Sequence, residues 1–284
     1  MYRRHDAEGR IVLFLDGTLP PHKGLAGSVG ILGGASGMVG AAVIAGRAAL
    51  KCGAGRVYLG MLTPRPPYVD YSQPELMLRK PEELLAPEFV DALVAGPGMG
   101  RSKAAAALLR TALKSPAPLL LDADALNLLA GNRVLLAATG KRQGATLMTP
   151  HPAEAARLLG EETRTIQSDR VTSARLLAQR CDSCVVLKGN GSVVAAPDGR
   201  WWINPSGNPG MASAGMGDAL SGIVAALIAQ RAEPLDALIA GVYLHGAAAD
   251  ELVGAGTGPI GISASEVTDF ARTLLNRHAG NSQP

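Results

Sequence analysis

A chain of 284 residues, 47% hydrophobic but only 4% aromatic and carrying 35 glycines, is long enough for a substantial core and has the composition of helices packed closely on a sheet. Its 27 Lys and Arg stand against 24 Asp and Glu, a formal charge of +3. No basic run concentrates that charge, which excludes a nucleic-acid footprint and a polybasic membrane patch and leaves room for a small anionic ligand.

In chain order, residues 1–23 read as a short N-terminal extension. Its apolar run IVLFL is too short for a secretory signal, so a cytoplasmic location is expected. The uncharged stretch from Leu25 to Gly46 has the length of a membrane span, yet its seven glycines divide it into a strand, a loop and a helix. Strand-like and helix-like runs then alternate: SVGIL, GAAVIAGRAALKCG, RVYLGML, VDALVAG, SKAAAALLRTALK, PLLLDA, DALNLLA, ATLMT and PAEAARLLG. This pattern predicts a mostly parallel sheet covered on both faces. SVVAAP and GRWWIN flank Pro197-Asp198-Gly199 and predict an antiparallel hairpin. From Gly217 onward the chain reads as helix. There are no repeats and no linker, so residues 1–284 are expected to form one α/β domain.

Three cysteines, Cys52, Cys181 and Cys184, cannot make a disulfide framework and suit a reducing compartment. The pair in CDSC ends a helical run and precedes a strand, the reverse of the redox-motif order, and no further zinc ligands have the spacing. It reads as incidental.

Ligands of parallel sheets bind where strands end and loops enter helices. Those ends here carry GGASG at 33–37, GPGMG at 96–100, Asp122-Ala123-Asp124, Thr149-Pro150-His151 and KGNGS at 188–192. A P-loop is absent, since Gly140-Lys141 is followed by Arg142, and GPGMGR has the wrong spacing for a dinucleotide fingerprint. What remains is NPGMASAGMGDALSG before the uncharged run IVAALIA, with a helix expected from Ala219. Asp218 at that start is either an N-cap or a general base beside an anion held by the amides of Gly215 and Gly217. A carboxylate with adjacent amides suits phosphoryl transfer to a hydroxyl.

The segment NPGMASAGMGDALSGIVAALIAQ, preceded by LDADALN, TPHPAEAARLLG and VVLKGNGS, resembles the ADP-dependent NAD(P)H-hydrate dehydratases of the ribokinase-like superfamily. The likeness runs from about Gly24 to about Arg277. It implies a cytoplasmic nicotinamide-repair enzyme on a ribokinase-like fold. The reaction would return the S form of hydrated NADH or NADPH to NAD(P)H, with ADP as phosphoryl donor, Mg²⁺ as cofactor, and AMP and phosphate as products.

By the same resemblance Asp218 is the base and a substrate contact, and Ala41, Gly98, Gly100 and His151 line the hydrate site. Lys188, Gly189, Asn190, Gly191 and Ser192 hold the nucleotide together with Gly215 and Gly217. Glu154 supports Mg²⁺ through water. A homo-oligomer such as a tetramer, and a separate epimerase, are also implied.

Ordinary roles stay open for several of these residues. Lys188 also suits a solvated rim, Asp124 a helix cap, and Glu154 the favoured acid of a first helical turn. Two rival functions use the same segments: a kinase of the hydroxyethylthiazole or pyridoxal type, and a non-catalytic nucleotide sensor.

Overall fold

The computed structural model describes residues 2–5, 11–14, 26–86 and 89–280. Strands β1 (Tyr2–His5) and β2 (Ile11–Phe14) pair antiparallel with each other, apart from the main sheet. The rest of the N-terminal extension lies outside the described residues.

The main body alternates as the apolar runs predict. It comprises β3 (Ser28–Gly33), α1 (Val39–Lys51), β4 (Arg56–Met61), β5 (Met77–Arg79), β6 (Ala92–Ala95), α2 (Lys103–Ala112), β7 (Leu119–Leu121), α3 (Ala123–Ala130) and α4 (Arg133–Thr139). There follow β8 (Thr146–Met148), α5 (Pro152–Leu159), α6 (Thr163–Ser168), α7 (Arg170–Cys181), β9 (Cys184–Leu187), β10 (Ser192–Ala195) and β11 (Trp201–Asn204). Three helices close the chain: α8 (Met216–Ala229), α9 (Pro234–Gly254) and α10 (Ala264–Gly280).

The nine-stranded sheet has the order β11-β10-β9-β8-β7-β6-β3-β4-β5. Every pair from β9 to β5 is parallel, and β10 and β11 form the expected antiparallel hairpin at one edge.

Two apolar cores flank this sheet because alternate strand residues point to opposite faces. Ile31, Val94 and Leu120 pack with α1, α8, α9 and α10, while Leu32, Leu93 and Leu121 pack with α2, α3, α5 and α7. Helix α8 is buried along nearly its whole length, as a helix apolar all round must be. No helix among the described residues is long and apolar enough to cross a membrane, and the Leu25–Gly46 stretch resolves into β3, a loop and α1.

Candidate active site

The site begins with the start of α8, which lies earlier than the apolar run suggested. The helix starts at Met216, its N-cap is Gly215 at φ +88°, and Asp218 sits inside the first turn without capping a backbone amide. Only glycine takes that left-handed N-cap angle without strain. Asp218 is therefore not the N-cap, and its half-buried carboxylate is left for other work. Burial pushes its pKa up to about 7; the charges of Asp122 and Asp124 act in the same sense and that of Lys188 opposes them. A carboxylate tuned to that range is poised to take and return a proton near neutrality.

Beneath this turn lies an ion pair between a half-buried lysine and a buried aspartate. Lys188 Nζ, at the end of β9, donates to Asp122 Oδ1 at 2.9 Å, and Ser221 Oγ on α8 donates to Asp122 Oδ2 at 3.0 Å. Asp122 is 1% exposed. Burial alone would raise its pKa, but the Lys188 charge and the hydrogen bonds from Lys188, Thr149 and Ser221 outweigh it and hold the carboxylate ionised. Burial works against the Lys188 ammonium, and the surrounding Asp122, Glu154 and Asp218 carboxylates more than offset that. Gly217 makes room for the pair, since a Cβ there would lie 3.1 Å from Lys188 Nζ. Lys188 is thus no solvated rim residue.

A cavity of about 540 Å³ opens on the same turn. Lys188, Gly189, Asn190, Ser192 and Gly217 line it, which brings most of the expected nucleotide residues together; His151, expected at the hydrate site, lines this cavity and not the group of Ala41, Gly98 and Gly100. Gly191 and Gly215 do not line it: Gly191 completes the loop at φ +64°, and Gly215 caps α8 against Ile44 of α1. Besides Pro152, Met216 and Leu220, the wall comes from the stretch between Asn204 and Ala212 and from Val242, His245 and Gly246 of α9, positions not named as site residues from the sequence. The polar, glycine-rich run SGNPGM after the hairpin was the only local sign of them.

Arg170, the first residue of α7, was also missed. Its guanidinium donates to the carbonyls of Leu187 at 3.0 Å and of Asn190, clamping the 188–192 loop from outside.

A second group is built by the β3–α1 and β6–α2 loops. Gly98 sits at φ +56°, and a Cβ there would come within 2.4 Å of the Met38 carbonyl and 3.1 Å of the Ala41 Cβ. The β3–α1 and β6–α2 loops are laced together by the Gly34 amide donating to Pro97 O and the Ala35 amide donating to Gly98 O. Asp124 Oδ2 accepts the Gly100 amide at 2.8 Å and caps no amide of its own helix, whose N-cap is Asp122. Ala41, Gly98 and Gly100 therefore form one patch, tied electrostatically to Asp218 through Asp124.

His151 is the N-cap of α5, its Nδ1 accepting the Ala153 amide, while Glu154 Oε2 accepts the His151 amide at 2.9 Å in a capping box. Burial lowers the His151 pKa, as do the charges of Lys188 and Arg157, and Asp122 opposes them weakly. The ring is neutral at pH 7. Glu154 is buried, which raises its pKa against the influence of Lys188 and the capping amide. One of its oxygens is thus committed to the cap, and no cluster of three or more acidic, His or Cys side chains among the described residues makes a metal cage. This donor set fits a Mg²⁺ that keeps its waters and takes its other ligands from nucleotide phosphates.

Comparison with known proteins places this geometry. The family model described as NAD(P)H-hydrate dehydratase matches residues 29–268. The ADP-dependent (S)-NAD(P)H-hydrate dehydratase of Neisseria meningitidis is 41% identical over 262 residues, 90% of this chain and 87% of that protein. The chain also matches bifunctional NAD(P)H-hydrate repair enzymes, spanning about half of their length. Among solved structures, the ADP/ATP-dependent NAD(P)H-hydrate dehydratase of Bacillus subtilis, co-crystallised with ATP and Mg²⁺, is similar with a TM-score of 0.79 at 30% identity, covering 93% of this chain and 95% of that one. A ribokinase-like superfamily protein from Enterococcus faecalis, 24% identical with a TM-score of 0.75, shares the fold over 92% of this chain and 91% of its own. The chain belongs to the NAD(P)H-hydrate dehydratase family.

Proposed function

We propose that the protein dehydrates the S form of hydrated NADH and NADPH, using ADP as phosphoryl donor, with Asp218 as the base. The observation that carries this reading is the half-buried Asp218 carboxylate, raised to about 7, on the α8 turn whose Met216 and Gly217 line the cavity, with Asp124, which holds the Gly100 amide, acting on its charge. ADP occupies the cavity with its phosphates toward Lys188 and the 188–192 loop, and the hydrated nicotinamide ring rests on the patch.

Asp218 takes the proton from the ring hydroxyl as that oxygen bonds to the β-phosphorus and the bond from this phosphorus to the AMP oxygen breaks. Phosphate then leaves with the former hydroxyl oxygen, a proton is lost from the neighbouring ring carbon, and the double bond of NAD(P)H returns. Amides of the α8 first turn and the Lys188 charge stabilise the transferring group. Glu154 would hold Mg²⁺ through water, and the bound ion would supply charge neutralisation at the nucleotide phosphates. The neutral His151 ring borders the cavity at the start of α5, where it adds no charge.

A kinase of the hydroxyethylthiazole or pyridoxal type would need the same base but release a stable phosphate ester. The test is to incubate the protein with hydrated NADH, Mg²⁺ and either ADP or ATP, following the return of reduced-nicotinamide absorbance. The expected result is recovery of NADH with one AMP formed per turnover of ADP. Unchanged hydrate together with phosphorylation of hydroxyethylthiazole or pyridoxal would transfer the site to the kinases.

A further inference from the structure

A second cavity, of about 370 Å³, lies at the ends of β4 and β5. That is the size of a small-ligand pocket. Met61, Pro66, Leu78 and Pro81 give it apolar walls, and Arg79, Lys80 and Glu83 bring charge to it. Arg79 and Lys80 are exposed, and neither pairs with an acid among the described residues. Because β4 and β5 run parallel to β3, Thr63 and Lys80, just beyond their ends, stand at the ligand edge of the sheet.

This cavity adjoins the patch of Ala41, Gly98 and Gly100 through the β3–α1 loop. Thr63, which lines the cavity, shares a hydrogen bond of 3.1 Å with Ser36, and a Cβ on Gly34 would lie 3.3 Å from Met61 Cγ. The same loop is bonded to Gly98, whose carbonyl accepts the Ala35 amide at 2.6 Å. The strand order β9-β8-β7-β6-β3-β4-β5 therefore sets out three places in a row: Lys188 and His151 after β9 and β8, the patch after β6 and β3, and this cavity after β4 and β5. At about 4.8 Å per strand, the last two are about 10 Å apart, within the span of a dinucleotide.

We infer that this cavity receives the adenosine half of the hydrated dinucleotide, with Arg79 and Lys80 holding one of its phosphates. The inference rests on the function proposed above. With the hydrated ring on the patch and ADP toward Lys188, the far half of the substrate extends along the sheet edge away from ADP, toward β4 and β5. Apolar walls suit an adenine base, and two cations side by side suit a phosphate. Two phosphate sources offer the same chemistry: the diphosphate bridge common to both hydrates, and the 2′-phosphate carried by NADPH hydrate alone.

The test is steady-state kinetics of the full chain on each hydrate, at saturating ADP and Mg²⁺, for wild type, Arg79→Ala/Lys80→Ala and the charge-reversed Arg79→Glu/Lys80→Glu. Both side chains are exposed, so melting temperatures should stay close to wild type. The alanine pair is expected to raise the hydrate KM about 10-fold, the scale of one hydrogen bond to a charged group, and to leave kcat within about 2-fold. The glutamate pair should raise it further, while the KM for ADP stays in place. A rise confined to NADPH hydrate assigns the 2′-phosphate, and an equal rise on both hydrates assigns the diphosphate bridge.

Charges that merely guard an edge strand against pairing would leave every KM unchanged, and that result would overturn the inference. So would a glutamate pair no worse than the alanine pair, or a KM for ADP that rises by the same factor as that for the hydrates. Wild type that turns over neither hydrate would instead bring down the proposed function, and this inference with it.

Discussion

Asp218 must act as a base next to bound phosphates, and its neighbours set the terms. Burial and the carboxylates of Asp122 and Asp124 hold its proton to about pH 7, so kcat/KM for the hydrate should rise with pH through that value as the base form appears. Asp218→Asn should lower turnover by about 10²–10⁴, the usual share of a general base, while ADP binding persists. Stability has the opposite sign. Because the folded pKa lies above that of an unfolded aspartate, the folded protein holds a proton the unfolded chain has released between those values, and stability falls as pH rises through that window. Asp218→Asn should therefore raise Tm near pH 8 and change it little near pH 4. A variant that loses stability at both pH values and retains turnover would make Asp218 structural. The glycine-acid turn stood out because a helix start is marked locally, although its cap is Gly215 and not the acid. The partners of Lys188 were not, since Asp122 lies 66 residues earlier and only the sheet brings them to 2.9 Å.

At the scale of elements, the 188–192 loop is held from outside the site. From the start of α7, Arg170 reaches the carbonyl of Leu187 just before the loop and that of Asn190 within it, with a fork of donors that only a guanidinium offers. Arg170→Ala should raise the KM for ADP by about 10-fold and leave kcat within about 2-fold, as when a ground-state binding surface is loosened. Arg170→Lys should behave much like Ala, because one ammonium cannot span both carbonyls. A fall in kcat with KM unchanged would place the loop's effect in the chemical step instead. Nothing in the run SDRVTSARLLAQR distinguishes Arg170 from a solvated helix charge, whereas KGNGS stood out at once. Helix α8 shows a different limit. Its apolar run pointed to Ala219, but Gly215, a positive-φ N-cap, starts the helix at Met216, earlier than propensity alone would place it.

For the whole molecule, the alternation of strands and helices was legible because each strand is a short apolar run and each loop is marked by glycine, proline or acid. The cavity was not, because its walls come from four stretches of chain, around 151, 188–192, 204–220 and 242–246, that meet only in the fold. That construction predicts how ligands act on stability. ADP at about 100 times its Kd should add about 2.7 kcal/mol to the folded state and raise Tm by about 5 °C. The protection should be local as well as global. In hydrogen exchange, ADP should slow amides in 188–192 and 206–217, where the loop and the α8 turn close on it, and spare 96–102. NADH, the product, should do the reverse, slowing amides in 34–41 and 96–102, because the proposed hydrate site is the patch of Ala41, Gly98 and Gly100. Both ligands together should protect the first turn of α8 more than either alone, since Asp218 serves both sides. Protection by ADP confined to the 96–102 loop, or by NADH confined to 188–192, would exchange the two ligands' sites and require a different geometry for phosphoryl transfer.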